Sequence, residues 1–404
     1  MPSIRFVRAV RLPAAALCLS ALAAAAGADT VVVGPVPGSP ALSGARLLLR
    51  HAAIVGASAS NPSVLKLEPG VYDLRDRSLA MKPYVDIEGS GEGVTIVRAT
   101  VESTGTIAGA ANAELRSLTV ENTAATVAIA LRNDASGFRA AHVTCKATTA
   151  GNATALAQNS TGAVTLRSVT ATASGHSATG ISSRGGLLTD AVARANATDL
   201  AYAVFNATSA GELVDVVAEA ESGRFAGGIR NEAGGPTLRN VRASARGDSI
   251  AEGMVNGAGS GARVFGAVIR AVGGSDFAVG VSNEFSSAVL QDVDVTAECE
   301  SGAFGISNQF SGAPRLERAT VRATGAGIGI GVLTDGGVSA TVESSSITGD
   351  GFSLANGFGS AGTVTRVGAS RIDGPVRPGP GTLRCVASYD ASFAPVDAAC
   401  VPIP

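Results

Sequence analysis

The stretch Gly228-Ile229-Arg230-Asn231-Glu232-Ala233-Gly234-Gly235-Pro236-Thr237-Leu238-Arg239-Asn240-Val241 decides the fold. Asn231 follows an apolar residue by two places and a glycine by three. A Gly/Pro turn comes next, and then Leu-x-x-Val. Outward from here the phrase recurs in both directions at intervals of about 25 residues, the period of a stacked repeat architecture. The Asn position maps to Asn133, Asn159, Ser183, Asn206, Asn231, Asn256, Asn283, Asn308, Thr334 and Asn356.

Two places before each of these steps stands an apolar residue: Leu131, Ala157, Ile181, Val204, Ile229, Met254, Val281, Ile306, Val332 and Leu354. Side chains two apart on a strand point to the same side. The apolar and polar columns are therefore predicted to face inward together. One place before the step the types scatter (Arg132, Gln158, Phe205, Arg230, Ser282, Leu333), as an outward position allows. The Leu-x-x-Val signal, as in Leu115/Leu118, Leu166/Val169, Leu213/Val216, Leu238/Val241, Leu290/Val293 and Leu316/Ala319, marks a second short strand in each repeat. Such strands have no core of their own; stacked on identical neighbours at about 4.8 Å they gain one. An inward Asn amide at a bend then bonds its own turn and the Asn of the coils above and below. The ladder residues are read as structural, and Ser183 and Thr334 are expected to keep one such bond each.

The chain has 404 residues and a formal net charge of −2, with 51 Gly and no Trp. Small residues suit tight turns and narrow coils. Without a basic block, nucleic acid is excluded as a partner. Arg5, Arg8 and Arg11, the apolar run Leu12–Ala25 and the small residues Ala26-Gly27-Ala28 read as a signal peptide over 1–28, which would also remove Cys18. No later segment is apolar enough to span a bilayer. Secretion, at the cell surface or in the periplasm, is the expected localisation. There Cys385 and Cys400 are expected to pair. Cys145 and Cys299 lie six coils apart, roughly 29 Å at the stacking distance, and are expected to be buried free thiols.

Residues 29–110 are assigned to an N-terminal cap and first coils, with a helix from Pro40 to about Val55 covering the open end. Residues 111–374 carry the repeats. Pro375, Pro378 and Pro380 then end the pattern, and 375–404 form a disulfide-closed C-terminal cap.

Phrases such as Gly228-Ile229-Arg230-Asn231-(x)4-Pro236-Thr237-Leu238-Arg239-Asn240-Val241, with Leu67-Glu68-Pro69-Gly70-Val71-Tyr72 and Ile87-Glu88-Gly89-Ser90-Gly91 near the start, resemble the coils of bacterial right-handed parallel β-helix repeat proteins of the pectin-lyase-like superfamily. The resemblance covers about 60–404. It implies an all-β, single-stranded right-handed parallel β-helix of about 10–12 coils. It does not choose among the superfamily's lyases, hydrolases, esterases, tailspikes and surface proteins. The catalytic patterns those enzymes carry are missing: there is no Asn-Thr-Asp, Asp-Asp, Arg-x-Lys or Arg-Pro-Trp, and around Arg315 only Pro314 matches the lyase pattern.

Glu232 and Glu284 are the best carboxylate candidates for catalysis. Each follows a ladder Asn, two coils apart, at roughly 9–10 Å, the upper edge of an inverting glycosidase pair. Both also read as solvated turn residues. Glu232, Asn256, Glu284 and Gln309 form the strip where a cryptic site would lie. Asp292 and Asp294 flank inward Val293, and Arg318 in the next coil is placed to pair with Asp292. His51, His142 and His176 share no metal spacing, so no metal or cofactor is expected. The reading is an exported, non-catalytic structural or binding rod whose partner is a polysaccharide or another surface protein. The alternative is a polysaccharide lyase or glycoside hydrolase with a non-standard site.

Overall fold

The computed structural model describes residues 28–35, 40–207 and 210–403; residues 1–27, and with them most of the expected signal peptide, lie outside it. The chain winds into an all-β parallel solenoid of about 13 turns. This exceeds the expected 10–12 because both caps contribute strands of their own. Asp29–Val33 pairs in parallel with Ser63–Leu67, and Val364–Gly368 with Thr382–Val386.

Each turn has three faces. In the coil that begins at Glu212, the strand Glu212–Ser222 supplies face A and then face B, and Phe225–Glu232 supplies face C. The bend between A and B is a single left-handed residue, Asp215 at φ 54°. Ser117, Ser168, Asn240, Asp292 and Arg318 hold this corner in other coils, all at positive φ. The Leu-x-x-Val phrase therefore straddles a corner. Leu213 ends face A, Val216 opens face B, and both are buried. At that corner Arg318 binds Asp292 with two bonds of 2.7 and 2.9 Å, the pairing expected from the sequence.

The inward columns of faces B and C are rich in alanine, as at Ala226, Ala251, Ala278 and Ala303 on C and Ala243 and Ala271 on B, all buried. The two faces approach closely. A Cβ on Gly280 would lie 2.3 Å from Val295 Cγ1 and 2.5 Å from the Gly305 carbonyl oxygen. That explains the glycine column three places before the ladder.

The polar ladder runs where expected, at the inward end of each face-C strand, with one correction. Asn133 pairs in register with Gln158, not Asn159. Gln158 is fully buried and its Oε1 accepts from Asn133 Nδ2 at 2.8 Å; Asn159 is turned out and donates to Asp134 at 2.7 Å. Leu156 accordingly replaces Ala157 in the inward apolar column, paired with Leu131. A Gln amide reaches the neighbouring coil as well as an Asn does, which is why counting Asn alone slipped by one residue.

From Asn206 to Asn308 the amides form an unbroken chain. Asn206, Asn231, Asn256 and Asn283 each donate to the next, at 2.8–2.9 Å. Hydroxyls are too short to extend it. Ser183 bonds only within its own turn, to Gly185. Thr334 Oγ1 and Asn308 Nδ2 find no partner, so the bond expected of Thr334 is absent. Asn356 turns instead to Thr365 Oγ1 at 2.8 Å.

Both ends are closed. Helix α1, Pro40–Ile54, buries Ala45, Leu48 and Ala52 against the strand Gly70–Asp73. Beneath it Tyr72 is fully buried, and its hydroxyl donates to the Val33 and Glu68 carbonyls at 2.8 and 3.0 Å. At the other end Cys385 and Cys400 are disulfide-bonded, with Cα atoms 5.2 Å apart. Cys145 and Cys299 are buried free thiols, and burial pushes the Cys145 thiol far up. No helix among the described residues is long and apolar enough to cross a membrane.

Asn256 accepts from Asn231 and donates to Asn283, so Asn256→Ala leaves two buried amide groups short of a partner. The expected loss is about 1–3 kcal/mol, against near neutrality for Thr320→Ala on exposed face B. Chemical denaturation of the two variants checks it. Mass mapping of the non-reduced protein is expected to return a Cys385–Cys400 linked peptide, with Cys145 and Cys299 alkylated only after unfolding.

Candidate functional site

On face C the inward and outward columns do not simply alternate. The hydrogen-bonded register pairs Ala226 with Ala251, Gly227 with Glu252 and Ile229 with Met254, and skips Gly228 and Gly253. Ala251 and Met254 both lie in the core. The skip turns the residue four places before the ladder outward. That column reads Tyr202, Gly227, Glu252, Val279, Phe304, Ile330 and Phe352 through successive coils. The column one place before the ladder is also outward: Phe205, Arg230, Val255, Ser282, Ser307 and Leu333.

The expected outward direction of that last column holds, but exposure does not follow from it. Ser282 is only 5% exposed and Val255 is fully buried. The strip is a shielded trough. Phe225, Ile250 and Phe277 flank one side, half-buried; Glu232, Glu284 and Gln309 flank the other. Beyond them, at the turn, Phe285 and Phe310 are half exposed and stacked, ring centroids 4.8 Å apart and 11° from parallel. Further along, Ile330, Leu333 and Ala355 pack with Phe304, Ile328 and Phe352 into an apolar cluster separate from the main core.

The charged part of the trough spans four coils. Tyr202 lays its ring over Gly227, whose Cβ, if present, would sit 2.6 Å from the ring. This is the one place in the column where a side chain is excluded by its neighbour. Phe205 and Phe225 hold the ring at centroid distances of 5.8 and 5.6 Å. Arg230 donates to the Tyr202 hydroxyl at 3.1 Å and to Glu232 Oε1 at 2.5 Å. One coil on stands Glu252. It is 8% exposed and, among the described residues, makes no hydrogen bond or ion pair. Two coils on, Glu284 accepts from Ser282 Oγ at 3.2 Å, beside Gln309, which donates to Ser307 Oγ at 2.8 Å.

Burial pushes the Glu252 carboxyl up to about 7, with the nearby Glu284 charge adding to the rise and Arg230 opposing it. Burial likewise raises Tyr202, against the pull of Arg230, so its hydroxyl stays neutral. A buried carboxyl held near neutrality beside a second carboxylate is the electrostatic mark of acid–base chemistry.

The structure brings Glu232 and Glu284 to one edge of the trough, two coils apart, as the sequence placed them. It gives them different company. Glu232 is bound by Arg230; Glu284 stands five places along its strand from Val279, the residue opposite Glu252. Asn256 lies inside the core and takes no part in the strip. In the same phase, Asp335 stands one coil beyond Gln309 on the same edge, whereas Asp134 lies four coils before Glu232. Glu252, Tyr202 and Arg230 were missed. Among the described residues no cluster of His, Cys, Asp or Glu is arranged to hold a metal ion. A depression of about 650 Å³ on face B is lined by Arg194, Glu219, Glu221 and Arg246. Arg194 and Glu219 pair there at 2.7 Å, and Glu221 and Arg246 are exposed.

Fold and trough together define a parallel β-helix protein with a polar, aromatic-edged strip along one face. No protein-family model and no curated protein matches the chain. Among solved structures it is similar to the A-module of mannuronan C-5 epimerase AlgE6 from Azotobacter vinelandii, at 13% identity over 86% of this chain and 95% of that one, TM-score 0.44. It is also similar to the catalytic unit of a GH87 alpha-1,3-glucanase from Streptomyces thermodiastaticus, at 13% identity over 95% and 73%, TM-score 0.44. Tailspike protein 3 of bacteriophage CBA120 matches at 9% identity over 89% and 61%, TM-score 0.44. At such identities and TM-scores none of them bears on what the trough does.

Glu252 titrates near 4.5 when unfolded and near 7 when folded, so the native state holds the extra proton between these values. The linked stability is fully present below pH 4.5 and is lost as pH rises through 7. Relative to Glu252→Gln, the native chain is expected to lose on the order of 3 kcal/mol over that window. Denaturation midpoints of both proteins at pH 4.5 and pH 8 check it.

Proposed function

We propose that this is an exported β-helix protein that binds an extended glycan along face C. The single observation that carries the reading is the stacked, half-exposed pair Phe285 and Phe310 beside the polar edge Glu284–Gln309. Flat apolar rings next to hydrogen-bonding groups match the two sides of a sugar ring, apolar C–H on one and hydroxyls on the other. Consecutive coils repeat such a contact at about 4.8 Å, so a ligand with its own repeat is the natural occupant. Export is supported by the disulfide, which an oxidising compartment maintains, and by the signal-like start of the sequence.

The catalytic alternative draws its support from a different residue, Glu252, whose burial without a partner serves no structural end. A glycan array probed with the full mature chain tests the binding reading. The double variant Phe285→Ala/Phe310→Ala is expected to weaken binding about tenfold, or 1.4 kcal/mol, with an unchanged unfolding midpoint. Undiminished binding in that variant would sink the assignment of the face.

A further inference from the structure

We propose that the disulfide-pinned C-terminal tail masks a docking edge for the first strand of a second copy of this chain, and that opening the disulfide lets copies join head to tail. The inference is independent of the glycan-binding reading above.

The two ends of the solenoid match in register. One inward column of paired residues on face A runs its whole length, from Val31 through Leu65, Leu115, Leu238 and Val367 to Cys385. The strands that end it, Asp29–Val33 and Thr382–Val386, have five residues each. Among the described residues each pairs in parallel on one side only. A second copy placed with its Val31 after Cys385 continues the column without a break. On the outer side its Val32 then meets Val386, and its Thr30 meets Arg384. Two exposed valines cover each other, and no like charges are opposed.

The hydrogen bonds agree. Along a strand, successive residues turn their backbone groups to opposite neighbours. The Asp29 N–H donates to Pro62 and the Val33 carbonyl accepts from Glu68, which leaves Thr30 and Val32 facing the open side. At the other end the Thr382 N–H donates to Thr363 and the Val386 carbonyl accepts from Ala369, which leaves Leu383 and Cys385 facing the open side. In the continued register the Cys385 N–H donates to the Thr30 carbonyl of the second copy, and the Cys385 carbonyl accepts from that copy's Val32 N–H. The first of these bonds has a stand-in already: the Cys385 N–H donates to the Ala398 carbonyl at 3.0 Å. The tail sits where an incoming strand belongs.

The tail is built to come away. Apart from the Cys385–Ala398 bond, the backbone bonds of residues 391–403 stay within 388–403, among the described residues. The Cys385–Cys400 bond ties this loop to the last coil. Tail residues lie beside Tyr389–Asp390, which ends face B. At the opposite end helix α1 lies on Gly70–Asp73, which begins face B. Releasing the tail therefore clears the place that α1 of the second copy takes. A dithiol reductant supplies the two electrons and two protons: it becomes its own disulfide, and Cys385 and Cys400 each become a thiol. The contact joins unlike ends and does not close, so growth gives an open rod, not a dimer.

The test compares the full mature chain oxidised, the same chain reduced with dithiothreitol, and Cys385→Ala/Cys400→Ala. The column already accepts an alanine at Ala140. Sedimentation velocity and electron microscopy over a range of concentrations read the assembly, and circular dichroism reads the fold. The oxidised chain is expected to be monomeric. The other two are expected to give dimers, trimers and longer rods that lengthen with concentration. Val32→Pro removes an edge N–H that no native partner uses, and is expected to abolish association in both while the fold stays intact. Monomers after the disulfide is opened, loss of the fold on opening it, equal association of the oxidised chain, or association that survives Val32→Pro would each overturn the proposal.

Discussion

In-register stacking of one coil on the next is the constraint on which everything else depends. Each strand bonds the strand of the same phase in the coils before and after it, so a residue type chosen for one coil must be tolerated by its two neighbours. The buried amides from Asn206 to Asn308 show the rule at its strictest. Asn231, Asn256 and Asn283 satisfy both halves of their amides only because the next coil repeats them. Where a hydroxyl replaces the amide, at Ser183 and Thr334, the chain of bonds stops. A buried donor such as Asn308 Nδ2 is then left over. Tolerance of those two breaks shows that the backbone ladders and the alanine-rich core carry the rest.

The same stacking builds the trough. A narrow core, forced by glycine and alanine where faces B and C meet, makes face C bend at the Gly228 and Gly253 positions and skip a register place. That skip turns a column of side chains out of the core and onto the face. Tyr202, Arg230, Glu252 and Glu284 come from four coils and three columns of one face, and stacking brings Tyr202 and Arg230 of adjacent coils into contact. Gly227 is the spacer among them: with no side chain of its own it lets the Tyr202 ring reach across a coil toward Arg230. Polar chemistry sits at the middle of the face, and the cluster of Ile330, Leu333 and Ala355 shields the strip toward the C-terminus.

By itself the sequence determined the solenoid and its repeat of about 25 residues, the helical and disulfide-pinned ends and the inward amide ladder; that each turn has three faces came from the structure. Each of the former is written as a residue type at a fixed period, and periodicity survives without coordinates. It also put Glu232 and Glu284 in one phase, because both directly follow a ladder Asn. The tertiary structure alone decided which way Glu252 points. Strict alternation counted back from Asn256 puts Glu252 on the inward side with Met254, where it would read as an anomaly of the core. The one-place skip at Gly253 reverses its direction, and a skip in hydrogen-bonded register leaves no mark in a period of 25 residues. The slip from Asn159 to Gln158 has the same origin: two amides of different length serve one position, and only the paired strand shows which of them points in. How far burial lifts a carboxyl depends on what surrounds it in space, and that the order of residues does not contain.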